Sequence, residues 1–124
     1  MRILVADDNR DAADSLAILL RIAGHEVEVA YDGAEAVHVA AWFNPRLALL
    51  DIGMPELDGH DVARALRTRT THRTLYLVAI TGWGQPKDRQ LAEAAGFDEH
   101  FVKPIEPFRI EELIERIARS DTSS

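Results

Sequence analysis

The chain has no cysteine, so no disulfide can staple its fold; this fits a reducing compartment without requiring one. It also lacks any apolar run of about 18 residues and starts with no signal-peptide pattern, which argues against a membrane span and a secretory leader. Positive charge is scarce as well. Fourteen Lys and Arg against twenty-one Asp and Glu leave a net charge of −7, which repels phosphate backbones and argues against direct nucleic-acid binding. There is no low-complexity segment to suggest a disordered arm. What remains is a single domain of 124 residues with enough chain to bury one core, expected to be cytoplasmic and without membrane contact.

Five runs rich in branched apolar residues recur: RILVA (2–6), HEVEVA (25–30), LALLD (47–51), LYLVAIT (75–81) and FDEHFV (97–102). Between them, apolar residues repeat at helical spacing; over 10–23 the stripe reads Ala12, Leu16, Leu19, Leu20 and Ala23. Strand and helix thus alternate five times, which predicts an α/β fold, a doubly wound (βα)5 three-layer sandwich with a parallel sheet between helices. The first, third and fourth runs are almost wholly apolar, as strands buried on both faces are, whereas HEVEVA alternates as an edge strand does. Among known doubly wound topologies the flavodoxin-like order 2-1-3-4-5 puts the second strand at an edge and keeps right-handed crossovers. Gly24 and Gly96 fit helix C-caps, Asp32 and Asp58 N-caps, and Pro86 and Pro107 first turns. The domain is expected to span 1–119, leaving 120–124 as a fraying polar tail or the stump of a linker.

In an open parallel sheet the ligand site lies beyond the carboxyl ends of the strands, beside the point where strand order reverses. The first run ends in Asp7 and Asp8, the third in Asp51, the fourth in Thr81, and the fifth in Lys103 followed by Pro104. These polar groups should converge on one edge. Three clustered carboxylates stay ionised at neutral pH only if a cation joins them, and an all-oxygen donor set with few protein ligands suits Mg²⁺. Asp51 and Asp8 are placed as direct ligands and Asp7 as a ligand through water, with the main-chain carbonyl of Gly53 as a further donor. A carboxylate beside Mg²⁺, a hydroxyl from Thr81 and an ammonium from Lys103 are the parts of a site that accepts a phosphoryl group on Asp51.

Together, Asp7-Asp8, LLDIGMP around Asp51, AITG with Thr81 and FVKP with Lys103 resemble the receiver domain of two-component response regulators, over nearly the whole chain. Four motifs in order, each at a strand end, are far more specific than any one of them. DDNRDAADSLAILL and ITGWGQPKDR further resemble receivers of hybrid sensor histidine kinases, so both a stand-alone relay protein and a receiver excised from a hybrid kinase stay open. The resemblance implies a signalling phosphoacceptor rather than an enzyme, taking its phosphoryl group from the phosphohistidine of a sensor kinase or histidine phosphotransfer domain. It also implies a response on the face of the fourth helix, fifth strand and fifth helix, where a downstream effector would bind, and a cis bond before Pro104.

The sequence departs from the family at His100, where a Tyr or Phe usually swings inward with the threonine; an imidazole can make that swing but is smaller. Phe101, one residue on, should point to the opposite face and join the core. Gly53 and Trp83, two residues beyond Asp51 and Thr81, stand where the family controls phosphoryl lifetime; two readings of Trp83 stay open, a ring that shields the acyl phosphate from water and an exposed ring in a mobile loop or at a partner surface. An Asp-nucleophile phosphatase of the haloacid-dehalogenase type would carry Asp-x-Asp after its first strand, and a flavin or nucleotide module would need a Gly/Ser/Thr-rich loop there. Neither is present. A purely structural interaction domain would have no reason to gather three carboxylates and a lysine.

Ile18 and Ile22 lie opposite the Leu16–Leu20 stripe and should face water beside the site, where they would dock a kinase helix carrying the donor histidine, although singly exposed apolar residues are ordinary. A helix over 86–95 offers only Leu91, Ala94 and Ala95 to the core, which makes it a candidate for the element that shifts on activation. His25, His38, His60, His72 and His100 show no metal-ligand spacing, and Arg64, Arg67, Arg69 and Arg73 read as a solvated face.

Overall fold

A computed structural model describes residues 1–52, 59–69, 75–81, 96–103 and 105–122. The chain runs β1 (Arg2–Ala6), α1 (Arg10–Ile22), β2 (Glu26–Ala30), α2 (Gly33–Phe43), β3 (Leu47–Asp51), α3 (Gly59–Arg69), β4 (Tyr76–Thr81), β5 (Glu99–Val102) and α4 (Pro107–Thr122). Gly53, Asp58, His72, Arg73, Trp83, Pro86, Pro104 and the helix expected over 86–95 lie outside the described residues, as do the side chains of His60, Arg67 and Arg69. The C-terminal helix is therefore α4 here.

The five strands form one parallel sheet in the order β2-β1-β3-β4-β5, as the apolar pattern predicts. Successive side chains in a strand face opposite sides, so a wholly apolar strand feeds two cores. Leu4, Ala6, Ala48, Leu50, Leu77 and Ala79 turn to one face and pack with Ala36, Val39, Ala40 and Phe43 of α2 and Val62, Ala63 and Leu66 of α3. Ile3, Val5, Leu47, Leu49, Val78 and Ile80 turn to the other, against Ala13, Ala17 and Leu20 of α1 and Ile110, Leu113, Ile114 and Ile117 of α4. Each fully buried Leu or Ile stabilises the fold by about 1.5–3 kcal/mol. β2 lies at one edge and carries the mixed burial its alternating sequence implies.

Two expectations need correction. The buried stripe of α1 is Ala13, Ala17 and Leu20, with Leu16 at its margin; Ala12, Leu19 and Ala23 are exposed. Small residues let a helix approach a sheet closely, so Ala13 and Ala17 take the core position beside Leu20, while Leu16 and Leu19 lie to the flank. At the other end, α4 runs to Thr122 and so takes in Ser120, Asp121 and Thr122, past the expected boundary at 119, with Arg119 suitably placed against the negative end of the helix dipole.

The capping signals hold where they are described. Asp32 caps α2, its carboxylate accepting the Glu35 N–H at 2.7 Å, and Pro107 opens α4. Gly24, with φ of 97°, follows the end of α1 in a conformation that costs other residues about 1–2 kcal/mol. Asn9 is an N-cap the sequence reading missed: its side chain accepts the Ala12 N–H at 3.1 Å, fixing where α1 begins just after Asp8. Among the described residues no helix is long and apolar enough to cross a membrane.

Candidate functional site

Backbone hydrogen bonds extend the sheet one residue past the strands and so hold the loop residues that follow. The Asp7 N–H donates to Ala30 O at 3.1 Å, the Ile52 N–H to Ile80 O at 3.1 Å, and the Lys103 N–H to Thr81 O at 2.7 Å. Asp7, Asp51, Thr81 and Lys103 are thereby fixed at the carboxyl edge of four adjacent strands, where the reversal of strand order opens a crevice.

Asp7, Asp8 and Asp51 each turn a carboxylate oxygen into this crevice, and the three oxygens lie within 4.8 Å of one another. Among the described residues this is the one group of His, Asp and Glu side chains close enough to share a cation. Asp7 is buried; its Oδ1 accepts the Asn9 N–H at 2.9 Å and its Oδ2 accepts from Lys103 Nζ at 3.1 Å. Lys103 Nζ also lies 3.6 Å from Asp51 Oδ2, so one ammonium bridges carboxylates from the first and third strands. Burial alone would lower the Lys103 pKa, but the hydrogen bond to Asp7 and the charges of Asp51 and Asp7 outweigh it and hold the group above the ordinary lysine value. Lys103 is therefore an ammonium at neutral pH and offsets one of three negative charges.

A divalent ion would offset the other two. The donors are all carboxylate oxygens, the set a hard cation such as Mg²⁺ prefers, and Asp8 and Asp51 stay partly open to solvent, as an ion that keeps several waters requires. The residues present fit Mg²⁺. Asp51 is intermediate in burial at the end of β3, its Oδ2 3.6 Å from Lys103 Nζ, and Thr81 is buried at the end of β4.

His100 pairs with Ala79, and Phe101 with Ile80. Phe101 packs on the α1/α4 core, so His100 falls on the opposite face, the one Thr81 shares by alternation. His100 is half-buried, with its Nε2 below the surface.

Ile18 and Ile22 are exposed by 53% and 78%, as expected, and Leu19 joins them at 48%. Beside them the sequence reading missed a groove of about 510 Å³ between α1 and the start of α4, lined by Leu16, Leu19, Ile80, Ile105 and Ile110 and reaching Asp7 and Lys103. No periodicity signals it, because its walls come from helices far apart in sequence.

Residues 3–117 match the response regulator receiver domain family. Over 117 residues the chain is 39% identical to response regulator MprA of Mycobacterium avium, covering 94% of this chain and 49% of that protein. The chain thus spans about half the length of the MprA relatives it matches. It is 34% identical over 116 residues to an uncharacterised 14.6 kDa protein from the sodA1 3′ region of Leptolyngbya boryana, covering 94% of this chain and 88% of that one. Among solved structures, the Vibrio cholerae chemotaxis protein CheY4 superposes with a TM-score of 0.87 at 27% identity, covering 94% of this chain and 97% of the other. A CheY-like receiver domain protein from Methanospirillum hungatei superposes with a TM-score of 0.87 at 26% identity, covering 99% and 98%.

Proposed function

This chain belongs to the response regulator receiver domain family, a family of signalling domains, and on that premise we propose that Asp51 accepts a phosphoryl group from a phosphohistidine. The donor is a sensor histidine kinase or histidine phosphotransfer domain, which places the domain in the cytoplasm. The observation that carries this is the bridge from Lys103 Nζ to Asp7 and Asp51 inside a three-carboxylate cluster. A carboxylate oxygen of Asp51 attacks phosphorus, the bond from phosphorus to the imidazole nitrogen breaks, and its electron pair stays on that nitrogen, leaving neutral histidine after proton uptake. No general base is needed, since the nucleophile is already ionised. Asp7, Asp8, Asp51 and the Gly53 carbonyl would hold Mg²⁺, which supplies charge neutralisation at the phosphoryl oxygens. Lys103 gives a second positive charge to those oxygens and Thr81 donates a hydrogen bond to one of them.

In the same proposal, His100 answers the movement of Thr81 across their shared sheet face and so couples the site to an effector surface. Gly53 and Trp83 set how long the acyl phosphate lasts. Asp51→Asn should abolish transfer from a phosphohistidine donor while leaving the far-ultraviolet circular dichroism unchanged. Transfer retained in that variant would remove Asp51 from the role.

Ile18, Ile22 and Leu19 form an apolar patch on α1 beside the site, continuous with the groove that Leu19 lines. We place the kinase helix there. Ile18→Glu is expected to slow transfer from the kinase about tenfold or more, a hot-spot cost, without changing phosphorylation by acetyl phosphate. Equal losses with both donors would instead indicate damage to the fold.

A further inference from the structure

Arg10 opens α1 two residues beyond Asp8, and its guanidinium is a permanent cation. A cation so close to three carboxylates would be drawn to them and would compete with a metal ion for their oxygens. It is held elsewhere. The Arg10 guanidinium carbon lies 4.2 Å from the centre of the Tyr31 ring, a cation–π arrangement, and the Tyr31 hydroxyl donates to Asp14 Oδ1 at 2.6 Å. Asp14 stands one helical turn after Arg10, so the ring is fixed at both ends by the same face of α1.

The ring is also tied to the site through the backbone. Tyr31 directly follows Ala30, whose carbonyl accepts the Asp7 N–H at 3.1 Å, and its side chain packs partly against the core shared by α1 and α4. The bond to Asp14 raises the Tyr31 pKa above its ordinary value, so the phenol stays protonated as a donor.

We propose that Tyr31 is a positioning residue of the metal site: it parks Arg10 on its ring face and so keeps a competing cation off Asp8 and Asp51. This rests on the Mg²⁺ reading above. The acidic groups beside Arg10 on the same helix, Asp11 and Asp14, are its other landing places, and Asp14 is already taken by the tyrosine hydroxyl.

The test is Mg²⁺ affinity by isothermal titration calorimetry, with melting temperature followed in parallel. Tyr31→Phe keeps the stack and should stay within about twofold of wild type. Tyr31→Leu keeps apolar bulk against the core but removes the ring face, and should weaken Mg²⁺ binding about threefold to tenfold, an effect that shrinks as added NaCl screens the guanidinium. Adding Arg10→Gln to Tyr31→Leu should restore the wild-type affinity. An unchanged affinity in Tyr31→Leu would overturn the proposal. So would a double variant as weak as the single one, since Tyr31 would then act only through packing. Wild-type protein that binds no Mg²⁺ would overturn the metal site itself, a failure separate from these two.

Discussion

Lys103→Gln is expected to slow phosphorylation of Asp51 about a hundredfold to a thousandfold, the cost of losing one pre-placed group for the developing charge, while Mg²⁺ binding is kept or tightened. The two effects have opposite signs for one reason. Lys103 lies within reach of Asp7 and Asp51 and repels any second cation placed among them, yet it is also the ammonium that would meet the phosphoryl oxygens. Its removal leaves the carboxylates more attractive to Mg²⁺ and less able to receive phosphate. Acetyl phosphate kinetics and Mg²⁺ titration on the same variant check both halves. A parallel fall in both would mean that Lys103 shapes the site rather than serving its chemistry.

The same contact has a pH signature. The folded-state pKa of Lys103 is raised, so its stabilisation is fully present below the ordinary lysine value near 10.5 and is lost as pH rises through the folded value. Urea midpoints of wild-type protein should show no loss from this contact between neutrality and about pH 10, then fall. Lys103→Gln should lack that component of the fall.

Asp8→Asn has the second large expected effect: a Mg²⁺ dissociation constant raised about tenfold or more, because one of three charges facing the cation is removed at close range. Asp8 is exposed, and exposed substitutions of this kind stay within about 0.5 kcal/mol in stability. Metal affinity and folding should therefore separate in this variant, by calorimetry and urea denaturation. An unchanged Mg²⁺ constant would remove Asp8 from the site.

The sheet was legible because its strands are extreme. Three nearly unbroken apolar runs can be buried only between two helix layers, and the alternating HEVEVA can lie only at an edge. The placing of these residues at one edge was legible for a related reason: Asp7, Asp8, Asp51, Thr81 and Lys103 each end or follow one of the five runs, so once the strands are parallel their ends lie together. Face assignments on a single helix were less secure. Hydropathy favours the largest residues, whereas the contact of α1 with the sheet favours the small Ala13 and Ala17, and this moved Leu19 from the expected core to the groove.

The finer geometry of contacts between distant residues left no trace in the sequence. Nothing in the spacing of Arg10, Asp14 and Tyr31 shows that they meet, since the approach depends on where β2 ends relative to α1. The tighter contact of Lys103 with Asp7 than with Asp51 is likewise a matter of ångströms, 3.1 against 3.6, that no motif encodes. Asn9 could have been read, because an Asn directly before a helical pattern is a capping signal, and it fixes the turn that carries Asp8.

In the proposed function a cation-binding carboxylate cluster makes Asp51 the phosphoryl acceptor. Peptide mapping by mass spectrometry after incubation with acetyl phosphate, with Mg²⁺ or with excess chelator, tests it most directly. The phosphoryl group should appear on the peptide containing Asp51 with Mg²⁺ present and vanish with chelator. Modification of another residue, or equal modification of Asp51 without a divalent ion, would contradict it.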